Sequence, residues 1–407
     1  MNIREKMSPA FRGIKGGLFE KVTKADVGTA LDELAAKGAA LMCWADPFAP
    51  DPCIPEHVKE ATIAEIKKGT GAHYTKPIGN DELKELISQK LKKFNKLDVD
   101  PARNILITPG SDSGLFFAMM PFVEPGDEVI VLDPSYPNNF LDPELLGGKT
   151  VTVELDESKN YQVSKEALEE KISDKTKLII LTNPINPTTT VLRRKSLEII
   201  AEVAIKHDLI VVCDQAFEDS VYDGIEFVTI ASLPGMWERT VSVFSISKGM
   251  ALSGYRVGYI VADDKIMDVY FGCAVNVIGA TNTAAQAGAI AALKDNSFVA
   301  EYNKIFESRR KKVYEIMNSI PGVTMAMPES SFMSWVNISK LGSSAEVNQY
   351  LIENANVVVN EGTPYGKMGE GHLRIIHGAY KDENKLLEAL ERMKTALTKL
   401  AEEKGIK

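Results

Sequence analysis

KLIILTNPINPTTTVLRRKSLEIIAEVAIKHDLIVVCD, residues 177–214, begins and ends on short runs of apolar and β-branched residues. Between them RRKSLEIIAEVAIKHD carries its apolar residues at helical spacing. A short strand with no polar alternation is covered on both faces, and two such strands joined through a helix lie parallel. The same unit repeats outward. Residues 104–108 (NILIT) and 128–132 (EVIVL) predict two earlier strands, separated by the turn and apolar helix of PGSDSGLFFAMMPFV. Residues 241–244 (VSVF) predict a fifth. The expectation is an α/β fold, a mostly parallel central sheet sandwiched by helices. Ligands of such sheets bind outside the carboxyl ends of the strands.

Beyond about residue 300 the pattern changes. RRKKVYEIMNSIPGV predicts a long helix stopped at Pro321 and Gly322. SSFMSWVNI, NVVVNEG and HLRIIHG predict strands, and a charged amphipathic helix is expected from residue 381 to the end. This reads as a smaller α+β domain packed on the first. Residues 275–293 form the longest apolar stretch, but Asn276, Asn282, Thr283 and Gln286 interrupt it. A buried helix is expected there, not a membrane span.

Composition narrows the function. The chain has 407 residues, 44% hydrophobic and 25% charged, with a net charge of -9. Such an acidic balance argues against nucleic acid as a partner, because phosphate contact needs a basic face. Cys43, Cys53, Cys213 and Cys273 are scattered and show neither a CxxC pair nor zinc-ligand spacing, so no metal is expected. The start, MNIREKMSPAFRGIKGG, has no apolar core of signal-peptide length. A reduced, cytoplasmic protein is the expectation.

Chemistry is expected just after the strand ends. In FSISKGMALSGYRVGY, Lys248 sits among Ser245, Ser247 and Gly249, and Arg256 lies between Gly254 and Gly258. Small residues let a ligand approach the backbone, hydroxyls and a guanidinium fork suit a phosphate, and a lysine can attack an aldehyde. Either residue alone would more simply be a surface charge; together they suggest a site. In LIVVCDQAFED, Asp214 ends an apolar strand. Buried there without a partner it would cost several kcal/mol, so it either caps a helix or faces a cation. In TNPINPTTTV, Pro184 and Pro187 fix a turn that offers the amides of Asn183 and Asn186. TPGSDSG is a turn opening a helix whose free amides favour an anion.

The order of TPGSDSG, DPSYP, NPINPT, the strand-end Asp214, SISK and Arg256 resembles the class I/II aminotransferases, enzymes of the fold-type-I pyridoxal-phosphate group. The resemblance runs from HYTKPIGNDELKELI to GEGHLRIIHGAY. It implies pyridoxal 5'-phosphate as cofactor, with Lys248 as the Schiff-base lysine and proton shuttle. It implies Asp214 at the pyridine nitrogen, Asn186 at the ring 3-oxygen and Tyr136 stacked on the ring. Backbone amides at Ser111 and Asp112, with Ser245, Ser247 and Arg256, would hold the phosphate. Tyr74 would reach the phosphate of a neighbouring subunit, implying a homodimer. Arg374 would clamp the substrate α-carboxylate, and Asn186 would also bind substrate. The implied domains are an N-terminal segment, 1–50, joining the small domain, a cofactor-binding domain over 51–300 and a small domain over 301–407.

Some positions depart from the family pattern. Phe217 stands where relatives usually carry a tyrosine, and Thr189 where they carry a glycine. CWADPFAPDP replaces the usual N-terminal substrate loop, placing Ala45 and Asp46 near the substrate. Arg12 and Lys15 are more simply solvated charges than substrate ligands. His377 is a candidate for the pocket wall, and Trp237 and Trp335 read as packing residues. The implied reaction is ping-pong transfer of an amino group from an amino acid, such as aspartate or an aromatic, to a 2-oxo acid such as 2-oxoglutarate. A carbon–sulfur β-lyase is the alternative. A transcription regulator on this scaffold would need a basic DNA-binding domain, for which the residues before the first motif leave no room.

Overall fold

The computed structural model describes residues 3–12, 14 and 29–407. Its strands are β1 Ala40–Leu41, β2 Ile105–Thr108, β3 Glu128–Asp133, β4 Lys149–Glu154, β5 Thr176–Thr182, β6 Ile210–Asp214, β7 Thr240–Ser245, β8 Gly258–Val261, β9 Met333–Asn337, β10 Val357–Val358, β11 Asn360–Glu361 and β12 His372–Ile376. The large sheet has the order β2-β8-β7-β6-β5-β3-β4. Pairing is parallel from β7 through β4, and β8 runs antiparallel to both its neighbours.

The five expected strands are all present. Their side chains alternate between two cores, as a period of two requires. Ile179 and Leu181 of β5 pack with Leu197 and Ile200 of the helix Arg194–Lys206. Leu178 and Ile180 face the other way, onto Leu115 and Phe117 of the helix Ser111–Met119. Each such side chain, fully buried, contributes about 1.5–3 kcal/mol relative to exposure.

Two strands of the large sheet escape the apolar-run criterion. β4 (KTVTVE) is a sheet edge, only partly buried, so it keeps polar residues. β8 begins inside the glycine-rich stretch that reads as a ligand loop.

Residues 275–293 need a correction. They belong to two helices, Asp264–Val277 and Thr283–Lys294, and not to one. Gly279 takes φ +65°, and the Asn282 side chain caps the second helix by accepting from the Ala285 amide. Val275 is 55% exposed, so the stretch is not buried throughout. Among the described residues no helix is long and apolar enough to cross a membrane.

The C-terminal part holds the antiparallel sheet β11-β12-β9. Its core joins Phe306 and Val313 of the helix Ser297–Asn318 to Leu386, Leu390, Met393 and Leu397 of the helix Glu383–Glu403. Met42 and Phe48 pack into the same core, and β1 pairs with β10, Ala40 opposite Val357. On these contacts we propose that the N-terminal segment to residue 50 belongs with the small domain, residues 301–407, and that 51–300 form the large one. The helix Ser297–Asn318 crosses that second boundary.

Candidate active site

The loops at one end of the large sheet open on a single cleft of about 470 Å3. Ser111 follows β2, Tyr136 follows β3 and Asn186 follows β5; Asp214 is the last residue of β6, and Ser247 and Lys248 follow β7. These are the carboxyl ends of parallel strands, where the fold leaves backbone amides and side chains free to meet a ligand. Arg256 precedes β8 and still reaches the same end, because β8 runs the other way. The C-terminal part of the chain contributes Arg374 and Tyr365, and the chain before β2 contributes residues 44–46.

Lys248 donates from Nζ to the carbonyl of Ala45 at 2.6 Å. Burial holds its ammonium below the usual lysine range, against the pull of Asp112 and Asp46. Asp214 is 4% exposed and accepts from the Ala216 amide at 3.1 Å. Burial pushes its carboxyl up to about 7, and Asp112 pushes the same way. The surrounding protein therefore does not keep this carboxylate ionised; a cation bound beside it would.

A second corner of the cleft suits an anion. The helix Ser111–Met119 points its amino end here. Gly110 has φ +87°, and a Cβ on it would lie 2.2 Å from Arg256 Nη2, so only glycine lets the guanidinium pack onto this turn. Arg256 Nη2 meets Asp112 Oδ2 at 3.3 Å, and Tyr136 donates to Asp112 Oδ1 at 3.0 Å. Among the described residues the buried Ser247 hydroxyl has no partner. Ser245 lies behind, outside the cleft wall, where its Oγ accepts from the Ser247 amide at 3.1 Å.

Arg374, on β12, is 5% exposed. Its fork donates to Asn360 Oδ1 at 3.1 Å from Nε and 2.8 Å from Nη2. Nη1 donates to Asn186 Oδ1 at 3.0 Å and Nη2 to the Cys43 carbonyl at 3.1 Å. The Tyr365 ring lies 4.9 Å from the guanidinium. These acceptors are neutral, so the buried charge is matched to an incoming carboxylate.

Other expectations fall out differently. Tyr74 is 99% exposed and lines no part of its own chain's cleft. His377 is not a pocket residue: it is fully buried, bonds Ser334 Oγ at 2.9 Å, and burial among Arg309 and Arg310 lowers its pKa to about 3. Arg12 is exposed and donates to the carbonyls of Glu5 and Met7, while Lys15 lies outside the described residues. Trp335 packs as expected, stacked on His372 at 4.9 Å. Phe217 lines the cleft, its ring edge-on to Phe332. Thr189 takes φ +66°, costly for a β-branched residue, and is held by bonds to Ile185 and Ser330.

Sequence reasoning missed Trp44, Ser253 and Tyr365 on the cleft wall, and Asn360 behind it. Two of these had a signal: Ser253 lies inside the glycine-rich Lys248 stretch, and Trp44 inside CWADPFAPDP, next to Ala45 and Asp46.

The model of one protein family, "Aminotransferase class I and II", matches residues 47–393. An aspartate aminotransferase of Pyrococcus abyssi is 34% identical over 86% of this chain and 90% of its own length. An aromatic-amino-acid aminotransferase of Thermococcus litoralis is 35% identical over the same shares, 86% and 90%. The crystal structure of an aromatic aminotransferase from Pyrococcus horikoshii superposes with a TM-score of 0.84 at 32% identity, over 91% of this chain and 99% of that one.

Proposed function

This chain belongs to the class I and II aminotransferases, enzymes that use pyridoxal 5'-phosphate, and we propose that it transfers the amino group of an L-amino acid, aspartate, an aromatic or a similar one, to a 2-oxo acid such as 2-oxoglutarate in a ping-pong mechanism. The convergence of Lys248, Asp214 and Arg374 on one cleft carries this reading.

The residues present fit the cofactor. The anion corner at Ser111, Ser247 and Arg256 suits its phosphate, and Asp214 needs the cation that a protonated ring nitrogen provides. Pyridoxal phosphate, when bound, supplies a cationic ring that takes up the electron pair released at the substrate α-carbon. Every other part falls to the chain. Asp214 would keep the ring nitrogen protonated. Asn186, whose Oδ1 holds Arg374, would donate its amide to the ring 3-oxygen. Tyr136, fixed through Asp112, would cover a ring face. Arg374 would bind the α-carboxylate and so turn the α-hydrogen toward Lys248. The Lys248 amine, already poorly solvated, then moves the proton as general base and acid. Exposed Tyr74 supports a homodimer in which it reaches the neighbouring site. Cys43, Cys53, Cys213 and Cys273, few and scattered with no paired spacing, support a reducing, cytoplasmic setting.

The test is to give the yellow holoenzyme each amino acid singly, without acceptor, and to follow the cofactor absorbance. A donor should convert the cofactor stoichiometrically to its pyridoxamine form and release one 2-oxo acid. Release of ammonia and pyruvate from cystathionine instead would make the enzyme a β-lyase.

Phe217 sets a further expectation. Phe217 lines the cleft without a hydroxyl, so a bound cofactor's anionic 3-oxygen would have one donor fewer than a tyrosine at this position would give. A donor stabilises that anion, so Phe217→Tyr should lower the spectroscopic pKa of the Lys248–cofactor linkage. An absorbance titration of both proteins checks this; an unchanged or higher pKa in the variant would remove Phe217 from the account.

A further inference from the structure

Outside the cleft, one fully buried arginine organises a loop that lines it. Arg309 lies in the helix Ser297–Asn318 and is 1% exposed. A guanidinium taken out of water must recover its lost hydration in hydrogen bonds. The Glu383 carboxylate stands off at 3.9 Å from Nε. Its bonds go to backbone instead. Nη1 donates to the carbonyls of Ala379 and Tyr380, both at 2.8 Å, and to that of His377 at 3.4 Å; Nη2 donates to that of Lys381 at 3.1 Å. All four carbonyls belong to the segment 377–381, which directly follows β12.

That segment is laced to the N-terminal chain. Ile376 N donates to Met42 O at 2.9 Å, Phe48 N to Gly378 O at 2.7 Å and Tyr380 N to Ala49 O at 3.1 Å. Lys381 N donates to Asp51 Oδ2 at 2.8 Å, and Leu41 N donates to the Tyr380 hydroxyl at 2.8 Å. The Phe48 ring lies 6.0 Å from the Arg309 guanidinium. Between these anchor points residues 43–46 pass the chemistry: the Cys43 carbonyl accepts from Arg374 and the Ala45 carbonyl from Lys248.

We propose that Arg309 is a positioning residue for the substrate-facing loop 41–51. By fixing the carbonyls of 377–381 it sets where the loop meets Lys248 and Arg374, touching neither substrate nor cofactor itself. The inference rests on the cleft being the amino-acid site.

The experiment compares holoenzyme of the wild type with Arg309→Met, Arg309→Lys and Asp51→Ala. Methionine fills the space but offers no donors. In Arg309→Met, amide hydrogen exchange of residues 41–51 should accelerate about tenfold while β5 and β6 keep wild-type rates. With L-aspartate and L-phenylalanine as probes, the half-saturating concentration should rise about tenfold or more, since small displacements of a positioned group are costly. The cofactor absorbance spectrum should not change. Arg309→Lys should recover part of both effects. Asp51→Ala cuts the tether from the other side and should move exchange and saturation in the same direction; it decides the matter if Arg309→Met does not fold. Wild-type exchange over 41–51 in the folded variants, or acceleration spread evenly over the chain, would overturn the proposal. If the wild type converts neither probe, the amino-donor assignment loses support, and the exchange pattern still decides the tether.

Discussion

Lys248→Ala should lower turnover about 10,000-fold, the upper end of what a positioned general base contributes, while the protein still folds and still binds pyridoxal phosphate. The fold survives because Lys248 follows β7 in a loop and, among the described residues, its side chain bonds only the Ala45 carbonyl. The cofactor stays because the helix end at Ser111, the Ser247 hydroxyl and Arg256 are untouched. What disappears is the only amine in the cleft among the described residues. An ordinary lysine is almost fully protonated at neutral pH; this one is held lower by burial, so more of it is free to take a proton. Borohydride treatment followed by mass spectrometry supplies the second readout. Wild-type protein should gain the reduced cofactor on the peptide containing Lys248, and the variant should gain none. Covalent labelling of another lysine, or turnover within tenfold of wild type, would move the chemistry away from Lys248.

The fold-deciding parts of this design are written locally. β5 and β6 are apolar runs flanking an amphipathic helix, and each of those patterns comes from burial on a known number of faces. β4 was not legible because an edge strand has less to bury, and β8 because four residues opening on glycine resemble a loop. The missed β8 has a consequence for the site. Only its reversed direction explains why Arg256, at the start of a strand, shares a corner with residues at the ends of others. Long-range pairings were the least legible. Arg374 and Asn186 are 188 residues apart and meet because β12 docks over the β5 end, which no local pattern specifies. His377 shows the converse error: proximity in sequence to Arg374 suggested the pocket, but it leaves the strand into the core, where Ser334 holds it.

Asp214→Asn should separate what the cleft does for catalysis from what it does for stability. Turnover should fall about 1,000-fold, the scale of losing one preorganised electrostatic partner of the reacting system. The neutral amide cannot favour a protonated ring nitrogen, although it can still accept from Ala216. Stability of the protein stripped of cofactor should change the other way. Burial raises the Asp214 carboxyl from the usual 3.8 to about 7, so between those values the folded chain binds the proton more tightly than the unfolded chain. The stability contributed by the neutral form is complete below 3.8 and is lost as pH rises through about 7. Asparagine has no proton to lose. Melting temperatures of the stripped proteins should therefore be similar near pH 3.8, favour the variant slightly at about pH 5 and favour it most at about pH 8. Asp142, also raised to about 7, is present in both proteins and cancels in the comparison. Adding pyridoxal phosphate should reverse the order at the higher pH, because the ring cation then stabilises the wild-type carboxylate and not the amide. Parallel melting curves across the pH range, with or without cofactor, would mean that Asp214 carries no uncompensated charge and that its partner lies elsewhere.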